Sequence, residues 1–251
     1  MGDPVSHSRS PAIFRAAFAA AGIDGEYTAR QVDSEGLRQT FEQLRQGRLD
    51  GFNVTMPHKA EAYSLCDRVE PEAERAGSVN TVVREGTEAV GHSTDIAAVR
   101  ECWQTMPEAG PILILGAGGA AAASAVALEN RGTLYIASRS FGSGSALADR
   151  LGIELGEVHW GVPVVMANVV NTTPLGMKEE RLPEDVLALA SGLLDMPYAA
   201  APTPAVSRAR ELGIPAVDGL ELLLTQAGYG FRLWTGMAAP FDAMRQAVGN
   251  P

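Results

Sequence analysis

Cysteine is scarce in this chain. Among 251 residues only Cys66 and Cys102 occur, far apart and without Cys-x-x-Cys spacing. That excludes a thiolate zinc site, argues against a disulfide framework, and leaves two ordinary thiols suited to a reducing compartment. Basic charge is also in deficit: 20 Lys and Arg stand against 30 Asp and Glu, a net charge of -10. Nucleic-acid binding draws on basic patches, so nucleic acid is not expected as a partner. Histidine is limited to His7, His58, His92 and His159, with no helical ligand spacing, and no metal is expected. No charged-then-apolar leader precedes the first polar residues. One uncharged run, from Gly110 to Leu128, reaches membrane-span length, but it carries four glycines and turns alanine-rich after them. It reads as strand, turn and helix, so no membrane partner and a cytoplasmic location are expected.

What is present is ordinary for a compact α/β protein: 46% hydrophobic residues and 27 glycines, in a chain long enough for one or two domains. Ser10-Pro11 has the form of an N-cap followed by proline at the first helical position. Ile13, Phe14, Ala17 and Phe18 then form an apolar face that Gly22 ends. Tyr27 to Val32 alternates as a strand. Ser34 to Arg45 is an amphipathic helix with Leu37, Phe41 and Leu44 inward. Gly51 leads into Phe52-Asn53-Val54-Thr55, a short strand running into a turn, and Pro57 suits the first turn of a helix that would place Lys59 near its start. A lysine there sits against the helix dipole, and Asn53 and Thr55 share side-chain parity, so the stretch is a candidate polar site. Helix and strand alternate to this point, and helix-covered parallel strands are the simplest solution. A short helix at Pro71 to Ala76 precedes two strands, 79–83 and 88–94, joined by a turn at Glu85-Gly86. Asp95 follows, then a helix from Ile96. Met106 to Pro111 reads as a break between units.

After the break the pattern restarts. Ile112-Leu113-Ile114-Leu115 is a continuous apolar strand, as burial on both faces requires. Gly116-Ala117-Gly118-Gly119-Ala120-Ala121 fits a dinucleotide fingerprint with alanine in its third place. The first glycine permits the turn. The second lets a pyrophosphate approach the backbone at the helix N-terminus, and the small third residue lets helix and strand pack closely. The next strand, 133–137, ends in Ser138-Arg139-Ser140 and no acid. A forked cation with two hydroxyls suits a 2′-phosphate, which favours NADP over NAD. Further strands are expected at 167–170, 193–196 and 214–217, and helices at 220–236 and 241–248. Residues 152–163 carry no legible pattern.

Taken together, in order and over nearly the whole chain, these motifs resemble the shikimate dehydrogenase family. The matching stretches are Ser6-His7-Ser8-Arg9-Ser10-Pro11, Asn53-Val54-Thr55-Met56-Pro57-His58-Lys59, Val79-Asn80-Thr81, Ser93-Thr94-Asp95 and the glycine turn at 116–120. Asn171-Thr172-Thr173-Pro174-Leu175-Gly176-Met177, Asp195-Met196-Pro197-Tyr198, Asp218-Gly219-Leu220 and Gln226-Ala227 complete the set. The resemblance implies a two-domain α/β protein: an α/β substrate-binding domain at 1–96 plus 220–251, and a Rossmann-type NADP-binding domain with a parallel sheet at 97–219, with a cleft between them. It implies reversible, NADP-dependent reduction of 3-dehydroshikimate to shikimate, in aromatic amino-acid biosynthesis. Carried over by motif, Lys59 and Asp95 would be the catalytic pair. Ser8 and Ser10 would hold the substrate carboxylate with Thr55 and Tyr198 nearby, and Asn80, Asp95 and Gln226 would take its hydroxyls. Gly116, Ala117, Gly118, Gly119, Ala120, Ser138, Arg139, Ser140, Thr172, Met196 and Gly219 would bind the cofactor. Quinate or aminoshikimate is an alternative substrate, and a non-catalytic NADP or cyclitol-acid binder an alternative role. The assembly would be a monomer or a homodimer.

Three departures bear on these expectations. The family's strand ahead of Gly2-Asp3-Pro4 is nearly absent, which predicts an altered sheet edge or a chain that starts late. Ser93 stands where an asparagine is usual, close to Asp95. The loop Phe141-Gly142-Ser143 lacks a second arginine, which predicts a weaker phosphate clamp and some NAD use.

Overall fold

The structure, a computed structural model, describes residues 1–6 and 8–249. His7, weighed above as a ligand and as part of the first motif, lies outside the described residues. Contacts divide the chain into two units, Met1–Ala97 with the stretch from Leu224 onward, and Ala98–Leu223. The compositional break at 106–111 therefore marks the entry into a strand, while the division itself falls inside a helix.

The first unit begins with α1 (Ser10–Ala20), α2 (Ser34–Arg45), β1 (Gly51–Asn53) and α3 (Lys59–Leu65). Then come β2 (Arg68–Val69), α4 (Pro71–Ala76), β3 (Thr81–Glu85), β4 (Glu88–His92) and α5 (Thr94–Cys102). Its four strands run in the order β1-β3-β4-β2. β1 and β4 lie antiparallel to β3, and only β2 is parallel to its neighbour β4. The expected parallel arrangement is thus corrected. The turn at Gly86, with φ +65°, closes β3 and β4 into a hairpin, which forces opposite directions. Tyr27 to Val32 is not a strand either. It runs beside Met1 and Gly2, and one parallel bridge, Gly2 to Gln31, is the pairing it makes.

Alternation along β1 sorts its neighbours. Phe52 faces α2, edge-on to Phe41 at 5.1 Å, in a core with Leu37, Leu44, Val54, Val79 and Val82. Gly51 and Asn53 point the other way. There a side chain on Gly51 would overlap Trp234, whose indole donates to the Val82 carbonyl at 3.1 Å. Phe14 of α1 stacks on Tyr27 at 4.4 Å and packs against Trp234 at 5.0 Å on that side. Asp33 caps α2 by accepting from the Gly36 amide at 2.8 Å, worth about 1 kcal/mol. Ser10 is not the cap of α1: the cap position is Arg9, and the Ser10 amide donates to Ser8 Oγ at 3.3 Å. Pro57 likewise precedes α3 instead of opening it, because His58 N bonds back to the Thr55 carbonyl at 3.0 Å and closes a separate turn.

The second unit carries β5 (Ile112–Leu115), α6 (Gly119–Leu128), β6 (Leu134–Ser138), α7 (Ser143–Leu151) and β7 (Leu155–His159). β8 (Asn168–Asn171), α8 (Glu184–Ala188), β9 (Gly192–Asp195), α9 (Pro204–Leu212) and β10 (Ala216–Val217) follow, and α10 (Gly219–Thr235) and α11 (Phe241–Gln246) end the chain. All six strands are parallel, in the order β10-β9-β8-β5-β6-β7. In chain order that is the doubly wound 3-2-1-4-5-6 arrangement, whose direction reverses between β5 and β8. Leu113, Leu115, Val169 and Leu193 pack on one face against Val186, Val206 and Ala209 of α8 and α9. Ile136 meets α7 at Gly144 on the other. Residues Ala121 to Leu128 of α6 are all buried, which small alanine side chains permit. β7 fills the stretch left unread above. It is an edge strand, partly exposed along its length and paired only to β6.

Candidate active site

In the first unit, Lys59 is the first residue of α3, and its Nζ donates to Asp95 Oδ2 at 2.5 Å. The two side chains keep 17% and 13% of their surface, so the pair is shielded yet reachable. Asp95 lies in the first turn of α5, not ahead of it. Its other oxygen accepts from Asn80 Nδ2 at 2.9 Å. Asn80 stands just before β3 and is buried. Its Oδ1 accepts the Thr94 amide at 2.7 Å, and its Nδ2 also reaches Thr94 Oγ1 at 2.9 Å and Gln226 Oε1 at 3.5 Å. Thr94 Oγ1 donates to Gln226 Oε1 at 3.3 Å. Four of the expected residues, Lys59, Asp95, Asn80 and Gln226, thus form one connected polar cluster. Thr94 joins it, a residue legible as part of the Ser93-Thr94-Asp95 motif but not singled out. Ser93 takes no part in these bonds, so the carboxylate's partners do not depend on that departure.

Other expected residues stand apart from the cluster. Ser8 and Ser10 meet at the start of α1, where the Ser8 hydroxyl oxygen accepts the Ser10 amide. Thr55 is exposed and lies against Gly2. Asn53 does not pair with Thr55; it accepts from Tyr27 Oη at 2.9 Å and donates to Thr81 Oγ1 at 2.9 Å, bracing the strand end beside Asn80.

In the second unit, the expected cofactor residues follow the C-terminal ends of parallel strands, one edge of one sheet. Gly116, with φ +112°, follows β5, and a Cβ on it would lie 2.6 Å from Thr172 Oγ1, just after β8. These two sit at the switch point, where doubly wound sheets take their ligands. Gly118 caps α6, and the space where its Cβ would stand holds no atom within 4 Å. Ala117, Gly119 and Ala120 complete that turn. Ser138 ends β6, and Arg139 and Ser140 follow it. Ser138 is buried, with its hydroxyl on the Ser140 carbonyl at 2.8 Å, while Arg139 and Ser140 are exposed. After β9, Met196 N bonds to the Asn171 carbonyl at 3.0 Å, and Gly219 packs so tightly on the 196–197 backbone that any side chain there would overlap it. Tyr198 is half-buried nearby in the chain. An open glycine at a helix N-terminus beside an exposed arginine fits a dinucleotide that bears an extra phosphate.

The buried support behind this edge was not singled out, although Asn171 and Asp195 open two of the matching stretches. Asp195, at the end of β9, accepts from Asn171 Nδ2 at 2.7 Å and from the Thr203 hydroxyl. Asn171 in turn accepts from Thr173 N at 3.1 Å and donates to the Leu175 carbonyl at 3.2 Å, which shapes the loop after β8. Burial pushes the Asp195 carboxyl up to about 6, although Thr203 and Asn171 act to lower it. Burial likewise pushes the Cys66 thiol up to about 12, an inert thiol. Among the described residues no group of three or more His, Cys, Asp or Glu is placed to hold a metal ion, and no helix is long and apolar enough to cross a membrane.

A shikimate dehydrogenase (NADP(+)) from Geobacter sp. strain M21 is 37% identical over 279 aligned residues, covering 100% of this chain and 96% of the relative. The chain belongs to the shikimate dehydrogenase family. The family model described as shikimate dehydrogenase substrate binding domain matches residues 1–82, and that described as shikimate 5′-dehydrogenase C-terminal domain matches 219–248. Among solved structures, a shikimate dehydrogenase in complex with NADP+ superposes with a TM-score of 0.89 at 28% identity, covering 98% of this chain and 92% of that one. The shikimate 5-dehydrogenase of Thermus thermophilus, solved with NADP(H) and shikimate, gives 0.86 at 32% identity, covering 98% and 96%.

Proposed function

We propose that this member of the family is an NADP-dependent shikimate dehydrogenase that interconverts 3-dehydroshikimate and shikimate. The observation that carries the reading is the Lys59–Asp95 pair, shielded, hydrogen-bonded on both carboxylate oxygens and set within a cluster of amides and hydroxyls. A structural ion pair needs no such lining. A group that moves a proton to and from a small polyol does.

When bound, NADP(H) supplies or takes the hydride. The chain's own work is to manage charge and protons. As the ketone is reduced, negative charge builds on its oxygen, and Lys59 is the donor that stabilises it and delivers the proton. Asp95 holds the ammonium in place and is itself held by Asn80. In the oxidative direction the same pair removes the hydroxyl proton. Asn80 and Gln226 pair with the ring hydroxyls, which would be costly to bury unpaired. The hydroxyls of Ser8 and Ser10, at the positive end of α1, suit the substrate carboxylate, with Thr55 and Tyr198 assigned to the same group. Ser8 Oγ accepts the Ser10 amide, so its proton is left to donate outward. Gly116 to Ala120, Thr172, Met196 and Gly219 hold the dinucleotide, while Ser138, Arg139 and Ser140 receive the 2′-phosphate. Domain limits of 1–96 plus 220–251 and 97–219, and a cytoplasmic location, go with the same reading.

The test is turnover by the purified protein with shikimate or quinate as substrate and NADP+ or NAD+ as oxidant, followed by nicotinamide absorbance. Shikimate with NADP+ should be fastest. Tight cofactor binding with no turnover in any of the four pairings would leave the non-catalytic binder as the better account.

A further inference from the structure

The loop after β6 is internally satisfied on one side and bare on the other. Glu157 of β7 accepts from the Gly142 and Gly144 amides at 2.9 and 3.0 Å, and from the Ser145 amide and hydroxyl at 3.1 and 2.6 Å. The Ser140 carbonyl accepts from Ser138 Oγ at 2.8 Å and from the Ser143 amide at 3.1 Å. These bonds spend the amides at the start of α7 and fix the backbone on both sides of Phe141. Phe141 is 59% exposed, and its ring stacks on the His159 ring with centroids 4.2 Å apart and planes 21° apart. His159 ends β7 directly opposite Ser138 of β6, so it stands beside the point where Arg139 leaves the sheet. Arg139, Ser140 and His159 are all exposed. Among the described residues their side chains have no hydrogen-bond or ion-pair partner.

An exposed guanidinium, hydroxyl and imidazole on a braced loop are donors without acceptors, which is the complement of a phosphate. With α7 already capped by Glu157, the helix N-terminus cannot serve that phosphate. We propose that His159, held by its stack on Phe141, is the second donor to the cofactor's 2′-phosphate and sets the preference for NADP alongside Arg139. The inference rests on the NADP reading above, and it places on the neighbouring strand the contact that Phe141-Gly142-Ser143 cannot supply. Glu157 is a positioning residue in this account, acting through the loop.

Calorimetric titration with NADP+, NAD+ and adenosine 2′,5′-bisphosphate separates the claims. His159→Ala should weaken NADP+ and the bisphosphate about ten-fold and leave NAD+ within about two-fold, as loss of one hydrogen bond to a charged group predicts. Phe141→Ala should cause a smaller loss of the same selectivity, and His159→Arg should restore it. Unchanged NADP+ affinity in His159→Ala would overturn the inference, as would an equal loss for NAD+, which would make the stack merely structural. Arg139→Ala tells the two levels apart. If it loses NADP+ selectively while His159→Ala does not, only this inference fails. If neither variant alters NADP+ binding, the NADP reading fails with it.

Discussion

Replacing Asp195 by Asn tests the buried support of the cofactor edge. The carboxyl is fully buried, and its pKa rises from 3.8 to about 6, mainly through burial. The folded state therefore holds the proton more tightly than the unfolded chain. This contribution to stability is whole below pH 3.8, shrinks as pH rises, and is gone above about 6. A shift of about 2 units corresponds to roughly 3 kcal/mol. Asparagine keeps the geometry: its carbonyl accepts from Asn171, and its amide can donate to Thr203 Oγ1, which accepts Val206 N at 3.2 Å and has a second lone pair. In Asp195→Asn that dependence disappears, so variant stability minus wild-type stability should rise by roughly 3 kcal/mol between about pH 4 and 7. Native-state hydrogen exchange of the Val170 and Leu194 amides reads the opening of this unit by itself, free of the two-state assumption that a two-unit chain does not satisfy. A flat difference across that range would refute the raised pKa. A falling difference would mean that Asp195 is held as a carboxylate.

Two further substitutions probe one unit each. Gly116→Ala places a methyl group against Thr172 Oγ1 at φ +112°, so it should cost about 1–3 kcal/mol and weaken NADP+ binding, read by hydrogen exchange of the amides in β5 and β8 and by titration calorimetry. Asn80→Ala strips the Asp95 oxygen and the buried Thr94 amide of a partner, so hydrogen exchange of the amides in β3 and β4 should show a loss of about 1–3 kcal/mol, with a fall in turnover beyond any change in NADP+ affinity.

The second unit was the more legible half of the chain. Ile112 to Leu115 is buried on both faces, and a strand of that kind announces itself as an unbroken apolar run. β7 does not, because an edge strand with Gly156 exposed and Glu157 half-buried has neither a run nor a clean alternation. In the first unit, strand direction was lost. β1 has three residues, too few for its pattern to say which neighbour it pairs with or which way it runs. The pairing of Lys59 with Asp95 was legible only through motif resemblance, since the bond between them spans 36 positions and nothing local encodes it. Asp195, Asn171 and Thr203 were missed as a network for the same reason. Each reads alone as an ordinary polar residue at a strand end or helix cap, and their shared burial is a property of the fold.

In the function proposed for this chain, Lys59, held by Asp95, carries the proton in an NADP-dependent interconversion of 3-dehydroshikimate and shikimate. The most direct test of this role is shikimate oxidation by Lys59→Ala with NADP+, beside calorimetric binding of NADP+ to the same protein. Turnover should fall by about 10²–10⁴-fold, the usual range for a lost acid–base group, with NADP+ affinity unchanged. Turnover equal to wild type would contradict the account.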